Sequence, residues 1–288
     1  MTSSQPVAAS GTFDIGGDLP VRRLGYGAMQ ILGAGRWGMP DDPANAVAVL
    51  RRAVELGVDF IDTADSYGPF VSEDLIREAL HPYGHVRIAT KAGFTRQGPN
   101  VWTIVGHPAY LRQCAEMSLR RLGVDTIDLY QLHRIDPDFP LEDQLGVFAD
   151  LVQQGKVRHD GLSEVSVEEL RAAQEIVPIA TAQNLYYVAN RQSEALLEHC
   201  TEHGIGFIPW FPVASGQVAA PDGPLAAIAE RTGASAAQLS LAWLLRRSAV
   251  MLPIPGTQSL GHLEENCRAA EVELDDATYA ELDALAAP

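Results

Sequence analysis

The sequence predicts a (β/α)8 barrel, a TIM barrel, entered through a small β-hairpin and finished by a C-terminal helix. Three observations predict it. The chain has 288 residues, about the length one such barrel needs. Short runs rich in β-branched and apolar residues alternate with helical patterns eight times along it. Asp62, Tyr67, Lys91 and His133 each stand at or just beyond the end of one such run. A barrel of parallel strands gathers those positions on one face.

The elements follow in order. Residues 1–10 read as a mobile N-terminal tail, and residues 11–288 as a single barrel domain, because no linker rich in Pro, Gly or Ser divides them. Phe13-Asp14-Ile15, Gly16-Gly17 and Leu19-Pro20-Val21 form a hairpin pattern whose glycines supply the turn; it would plug the bottom of the barrel. The strand candidates are 24–27, 60–62, 86–91, 127–133, 157–163, 179–183, 206–211 and 250–254. After Lys91, Leu111, Cys114, Ala115, Ser118, Leu119 and Leu122 recur at the three- and four-residue spacing of a buried helix stripe. Ser166 with Glu169, and Ser235 with Gln238, have the form of capping boxes that open helices. Gly57, Gly123, Gly155 and Gly204 follow helical runs, where a left-handed residue is wanted. Gly33-Ala34-Gly35-Arg36-Trp37-Gly38 matches a dinucleotide-binding pattern that requires its last glycine inside a helix. Pro40 and Pro43 forbid that helix, so the run is read as a loop after the first strand.

Composition removes several function classes. A formal net charge of −16 argues against a nucleic-acid surface and against a polybasic membrane patch. No stretch approaches the ~20 apolar residues of a membrane span, and the N-terminus has no signal-peptide pattern, so a cytoplasmic protein is expected. Cys114, Cys200 and Cys267 form no C-x-x-C pair, which points to reduced thiols on helix faces rather than a disulfide framework or a zinc site.

The four strand-end residues suit one task, protonating an oxygen as a hydride arrives at carbon. A free tyrosine has a pKa near 10, too high for rapid proton exchange at neutral pH. An adjacent ammonium stabilises the phenolate, and a carboxylate holds the ammonium. Tyr67 then acts as acid in reduction and base in oxidation, Lys91 tunes it, Asp62 fixes Lys91, and His133 orients the carbonyl. Singly, each has an ordinary alternative: a helix cap for Asp62, loop packing for Tyr67, a solvated strand end for Lys91, a satisfied core histidine for His133. Aromatic residues near strand ends, Trp37, Phe70, Phe94, Trp102, Tyr187 and Phe211, would favour a flat or apolar carbonyl substrate; Trp37, Phe70, Phe94 and Trp102 are the substrate-contact candidates.

These residues resemble the aldo-keto reductase superfamily from about Val21 to Leu285. The resemblance is carried by the runs 57–68, Ala89-Thr90-Lys91, Gln131-Leu132-His133, Gly161-Leu162-Ser163 and 253–257, in that order. The runs 24–30 and 207–212 resemble more closely its bacterial oxidoreductases that include pyridoxal reductases. The resemblance implies NADPH as cofactor, with NADH as the alternative, a small-molecule carbonyl substrate, no metal, and a monomer or weak homo-oligomer. It also implies cofactor contacts. Ser163, Glu164 and Gln183 would lie at the nicotinamide carboxamide and Trp210 against the ring, with Gly256, Thr257, Ser259 and His262 around the adenosine phosphate and Glu265 and Asn266 at the adenine. Gly256 and His262 replace a lysine and an arginine that grip the 2′-phosphate in some members, Glu164 replaces an asparagine, and Asp160 replaces an aliphatic residue. Asp160 is expected to face the helix layer. Two rival functions remain at this stage: a nucleotide-binding redox sensor or regulatory subunit, and a lyase using Lys91 as a Schiff base.

Overall fold

The computed structural model describes residues 5–213 and 225–285. Its first two strands, β1 (Thr12–Ile15) and β2 (Leu19–Arg22), are the expected antiparallel hairpin. Gly16 and Gly17 turn it at φ of 62° and 85°, a region glycine enters without steric cost. Ile15, Leu19 and Val21 pack into one cluster with Phe60, Ala89, Leu129, Ile208 and Leu252, so the hairpin stoppers the barrel interior from below.

The barrel sheet contains β3 (Tyr26–Gly27), β4 (Phe60–Asp62), β5 (Arg87–Ala92), β8 (Ile127–Leu132), β9 (Val157–Ser163), β10 (Ile179–Leu185) and β11 (Gly206–Trp210), paired side by side in parallel in that order. Two further strands, β6 (Phe94–Gly98) and β7 (Val101–Ile104), form a hairpin over the mouth that the sequence reading leaves unassigned. Helices return the chain between strands: α1 (Pro43–Glu55), α2 (Val71–Leu80), α3 (Pro108–Leu122), α4 (Leu141–Gln153), α5 (Val167–Gln174), α6 (Glu194–His203), α7 (Ala226–Thr232), α8 (Ala236–Arg247), α9 (Leu260–Arg268) and α10 (Asp276–Asp283). Both expected capping boxes are formed, at the starts of α5 and α8. Among the described residues no helix is long and apolar enough to cross a membrane.

Two expectations are corrected. The eighth strand, expected over 250–254, is not a regular strand. Pro253 and Pro255 have no N–H to give a ladder. The segment still closes the barrel, through Phe207 N to Val250 O and Leu252 N to Phe207 O at 2.8 Å each, and Gly25 N to Pro253 O at 2.9 Å. The tail expected to be mobile through Ser10 is a 3-10 helix from Pro6 to Ser10 with Val7 buried. Ser10 anchors it, its hydroxyl donating to Val7 O at 2.7 Å and accepting from Leu24 N at 3.2 Å.

Strand alternation decides which side chains reach the site. Along β8, Leu129 and Gln131 point inward and Tyr130 outward against Phe148. Along β9, Asp160 shares its parity with Leu162, which packs in the helix-facing core, while Gly161 faces Thr181 and Gln131 inside the barrel. Asp160 therefore lies in the helix layer, as its register requires.

Candidate active site

Asp62 ends β4 and Lys91 lies near the end of the adjacent strand β5, two residues beyond Asp62's register partner Ala89. Both are buried, and Lys91 Nζ donates to Asp62 Oδ1 at 2.6 Å and to Thr63 O at 2.7 Å. Asp62 Oδ2 accepts two further bonds, from Gln131 Nε2 at 3.1 Å and Gln183 Nε2 at 2.9 Å. A buried carboxylate is costly unless paired and fully hydrogen-bonded, and here three barrel strands supply the donors. Burial pulls the Lys91 pKa down, but Asp62 and Tyr67 outweigh it and leave it above its ordinary value.

Tyr67 is carried by the turn between β4 and α2. Tyr67 N donates to Ala64 O at 3.2 Å, Phe70 N to Asp65 O at 2.7 Å and Ser72 N to Tyr67 O at 3.2 Å. Gly68 stands at φ of 107°, and a Cβ there would lie 2.5 Å from Val71 Cβ, so the turn requires glycine next to the tyrosine. Lys91 Nζ lies 5.1 Å from the Tyr67 ring centroid. Burial raises the phenol pKa; Lys91 opposes the shift without reversing it. From sequence Lys91 is expected to have the deciding influence on the phenol; in the folded protein desolvation is larger. The phenol is thereby kept protonated at neutral pH.

His133 follows β8 directly, its ring centroid 5.9 Å from that of Tyr67. Burial first, then the charges of Lys91 and Arg134, hold its pKa well below the usual imidazole value, so the ring is neutral. Nδ1 lies 3.4 Å from Ser66 Oγ.

Tyr67 and His133 form the floor of a cleft of about 490 Å³ at the C-terminal end of the strands. Phe94 and Trp102, brought over it by the β6–β7 hairpin, and Trp210 and Phe211 supply its aromatic walls. Phe94 meets His133 edge to face at 4.7 Å, and Trp102 meets Tyr67 at 6.3 Å. Ser163 and Gln183 line the same cleft. Glu164 does not. At φ of 56° its side chain turns away and accepts from Trp210 Nε1 at 2.5 Å and Leu185 N at 2.8 Å, so it holds the indole that was expected beside it in the cofactor set.

A second cavity of about 790 Å³ continues from the first, sharing Gln30, Arg36, Val213 and Gly256 with it. Thr257, just before α9, and His262, Glu265 and Asn266, along it, line this cavity. Ser259 caps that helix, accepting from His262 N at 3.3 Å, and is not a lining residue. A Cβ on Gly256 would lie 2.3 Å from Gly27 O, so this backbone excludes a lysine there. An elongated cleft joining a helix N-terminus to an aromatic floor fits a dinucleotide: amide N–H groups attract phosphate at one end, and a flat ring packs against Trp210 at the other.

Two substrate candidates lie elsewhere. Phe70 is 46 % exposed and sits 4.3 Å from the Arg121 guanidinium, away from the cleft. Trp37 faces Arg96 at 5.7 Å and lines neither cavity. Phe70 is exposed, whereas Trp37 is half-buried, its backbone bridged to Gly68 beside Tyr67 and its ring facing Arg96. Sequence reasoning missed Arg96, Gln131 and Arg134. Arg96 lies 3.6 Å over the Trp102 ring and donates to Ser66 O and Val101 O at 2.8 Å each, tying the hairpin to the Tyr67 turn. Gln131 stands inside a run already quoted for its histidine, but no local pattern marks an arginine that faces a cleft.

Comparison with known proteins gives a consistent result. The model of the aldo/keto reductase family matches residues 23–287. An uncharacterized oxidoreductase of Schizosaccharomyces pombe is 49 % identical over 282 residues, 98 % of this chain and 92 % of that protein. Pyridoxine 4-dehydrogenase of Escherichia coli is 39 % identical over 284 residues, 96 % of this chain and 99 % of that protein. Among solved structures, an aldo/keto reductase from Klebsiella pneumoniae in complex with NADP and acetate superposes with a TM-score of 0.80 at 29 % identity, covering 95 % of this chain and 94 % of that one. A glycerol dehydrogenase from Gluconobacter oxydans gives a TM-score of 0.86 at 27 % identity, covering 96 % and 95 %.

Proposed function

This chain belongs to the aldo/keto reductase family of oxidoreductases, and from that premise we propose that it reduces aldehydes or ketones to alcohols with NADPH, reversibly, with Tyr67 as the proton donor. The observation that carries the proposal is the buried chain Asp62–Lys91–Tyr67 opening beside His133 into an aromatic cleft.

The residues divide the work as follows. A bound dihydronicotinamide would supply the hydride. Trp210, braced by Glu164, and the Ser163 and Gln183 side chains would set the ring's position over the floor of the cleft. His133, neutral, would donate a hydrogen bond to the substrate oxygen and turn the carbonyl carbon toward the nicotinamide. Tyr67 would pass its proton to that oxygen, and the Lys91 ammonium, fixed by Asp62, would stabilise the phenolate left behind. The same pair disfavours the lyase alternative, since Lys91 held as an ammonium has no lone pair for attack. At the far end the start of α9, with His262 and Thr257, would take the adenosine phosphate, and Glu265 and Asn266 the adenine.

A pyridoxal-like aromatic aldehyde is the proposed substrate type. Phe94, Trp102 and Phe211 offer a flat ring about 0.5–1.5 kcal/mol per well-placed aromatic contact, whereas the hydroxyls of a sugar would be buried against carbon. The similarity to pyridoxine 4-dehydrogenase favours the same type. We place the enzyme in the cytoplasm, with which its three unpaired, buried cysteines agree. The test is a panel of pyridoxal, benzaldehyde, glucose and xylose run with NADPH and with NADH, following cofactor absorbance. Higher kcat/KM for the aromatic aldehydes with NADPH is expected; higher values for the aldoses would remove the substrate assignment.

A further inference from the structure

The proposed reaction leaves a charged residue beside its proton donor unused. Arg134 follows His133 directly and lines the cleft beside Tyr67, Phe94 and Ser163. Its Nη1 donates to His133 O at 2.5 Å and to Ser163 Oγ at 3.1 Å, and its Cζ lies 5.4 Å from the Phe94 ring centroid. Nη1 is thus occupied, while Nε and Nη2 donate to no described residue. A guanidinium has five N–H donors in a rigid fork that matches a carboxylate.

Arg134 also forms no direct ion pair among the described residues, although the Glu164 carboxylate bears on its charge from a distance. Arg52, Arg121, Arg191 and Arg247 each form an ion pair with Asp or Glu. Arg134 has no carboxylate oxygen within 4.0 Å among the described residues. The nearby Glu164 already serves Trp210 and Leu185 through Oε1. Lys91, the other cation at the floor, is neutralised by Asp62. Arg134 is half-buried, so water screens it less than it would a surface arginine. On a chain of net charge −16, a half-buried, unpaired guanidinium at the reacting end of a cleft calls for an anionic ligand.

We propose that Arg134 recognises an anionic oxygen on the substrate, so that the preferred carbonyl compounds are aromatic aldehydes carrying a carboxylate or an equivalent oxyanion. This rests on the carbonyl-reductase reading of the same cleft and narrows its substrate class. The anion would meet the fork formed by Nε and Nη2, the ring would lie along Phe94 and Trp102, and the carbonyl would remain at Tyr67 and His133. Arg134 then acts in binding, and its effect belongs in KM.

The test compares 2-, 3- and 4-carboxybenzaldehyde, which scan the separation between aldehyde and anion, each with its methyl ester. Steady-state reduction by NADPH is measured with the wild type, Arg134→Met, Arg134→Gln and Arg134→Lys. At least one acid is expected to exceed its ester about tenfold or more in kcat/KM, through KM, as one charge-assisted hydrogen-bonded pair implies. That ratio falls to about one in Arg134→Met and Arg134→Gln and is partly restored in Arg134→Lys. Esters that match or exceed all three acids in the wild type overturn the proposal. So does a ratio unchanged by Arg134→Met or Arg134→Gln, whether or not NADPH binding weakens. Calorimetric binding of the carboxybenzyl alcohols and their methyl esters to the NADP-saturated protein separates this inference from the reductase reading. Arg134-dependent preference for the carboxylates with no aldehyde reduced keeps the anion site and removes the reductase. Reduction of acids and esters alike, with equal binding of both products, keeps the reductase and removes the anion site.

Discussion

Asp62 shows how closely stability and chemistry are joined at single residues. Its carboxylate is buried and satisfied by one ammonium and two amides. Lys91→Met should abolish most activity and also destabilise the fold, since removing one partner of a buried pair costs about 3–5 kcal/mol. Adding Asp62→Asn should recover stability and leave activity lost. Denaturant titration with a reductase assay on the single and double variants checks both halves. A second expectation concerns pH. Because His133 is depressed well below the usual imidazole value, it is neutral throughout the range in which a free histidine titrates near 6.5. The profile of kcat/KM for reduction should carry no inflection there. An acid limb near pH 6.5 that disappears in His133→Gln would contradict the neutral assignment. The placement of these four side chains around one cleft was legible because the sequence sets each at or just beyond the end of a strand. Arg134 was not, because a cleft arginine and a surface arginine look alike until the strand's last turn is seen.

At the scale of elements, β9 carries the clearest prediction. Asp160 is buried in the helix layer with its Oδ1 unpartnered, and burial pushes its pKa up to about 7. The unfolded carboxyl releases its proton near pH 3.9. Between about pH 4 and 7 the folded form therefore holds a proton that the unfolded form has lost, and stability declines as pH rises through that window. Asp160→Ile should stabilise the fold most at pH 7.5, by on the order of a few kcal/mol, and least at pH 4.5, each read as a rise in Tm. Thermal melts at the two pH values decide it; a lower Tm at pH 7.5 would show that the site cannot admit the larger side chain. Strand parity made Asp160 readable in advance, since alternation has a period of two and admits no drift. The β6–β7 hairpin was not readable in the same way. Val101 and Ile104 are exposed, so its apolar residues do not mark one buried face. Residues 250–254 failed differently: their apolar run reads as a strand, but two prolines leave only isolated bonds to close the barrel.

The whole molecule must bring an anionic cofactor to a protein of net charge −16. Arg36 lines both cavities and Arg134 the catalytic cleft, while Asp41, Asp42 and Glu265 also line the nucleotide cavity, so the cofactor's phosphates meet two arginines within an otherwise acidic lining. NADPH is expected to bind more tightly than NADH, but by less than in relatives with a lysine and an arginine, because Gly256 admits no side chain and histidine carries charge only when protonated. Dissociation constants for both nucleotides check this, and equal or tighter binding of NADH would refute it. The direct test of the central claim is Tyr67→Phe, measured for NADPH binding and for aldehyde reduction on the same preparation. The account predicts nearly unchanged NADPH affinity with turnover reduced by about 10²–10⁴, the usual contribution of a general acid. Turnover equal to the wild type in that variant would contradict it.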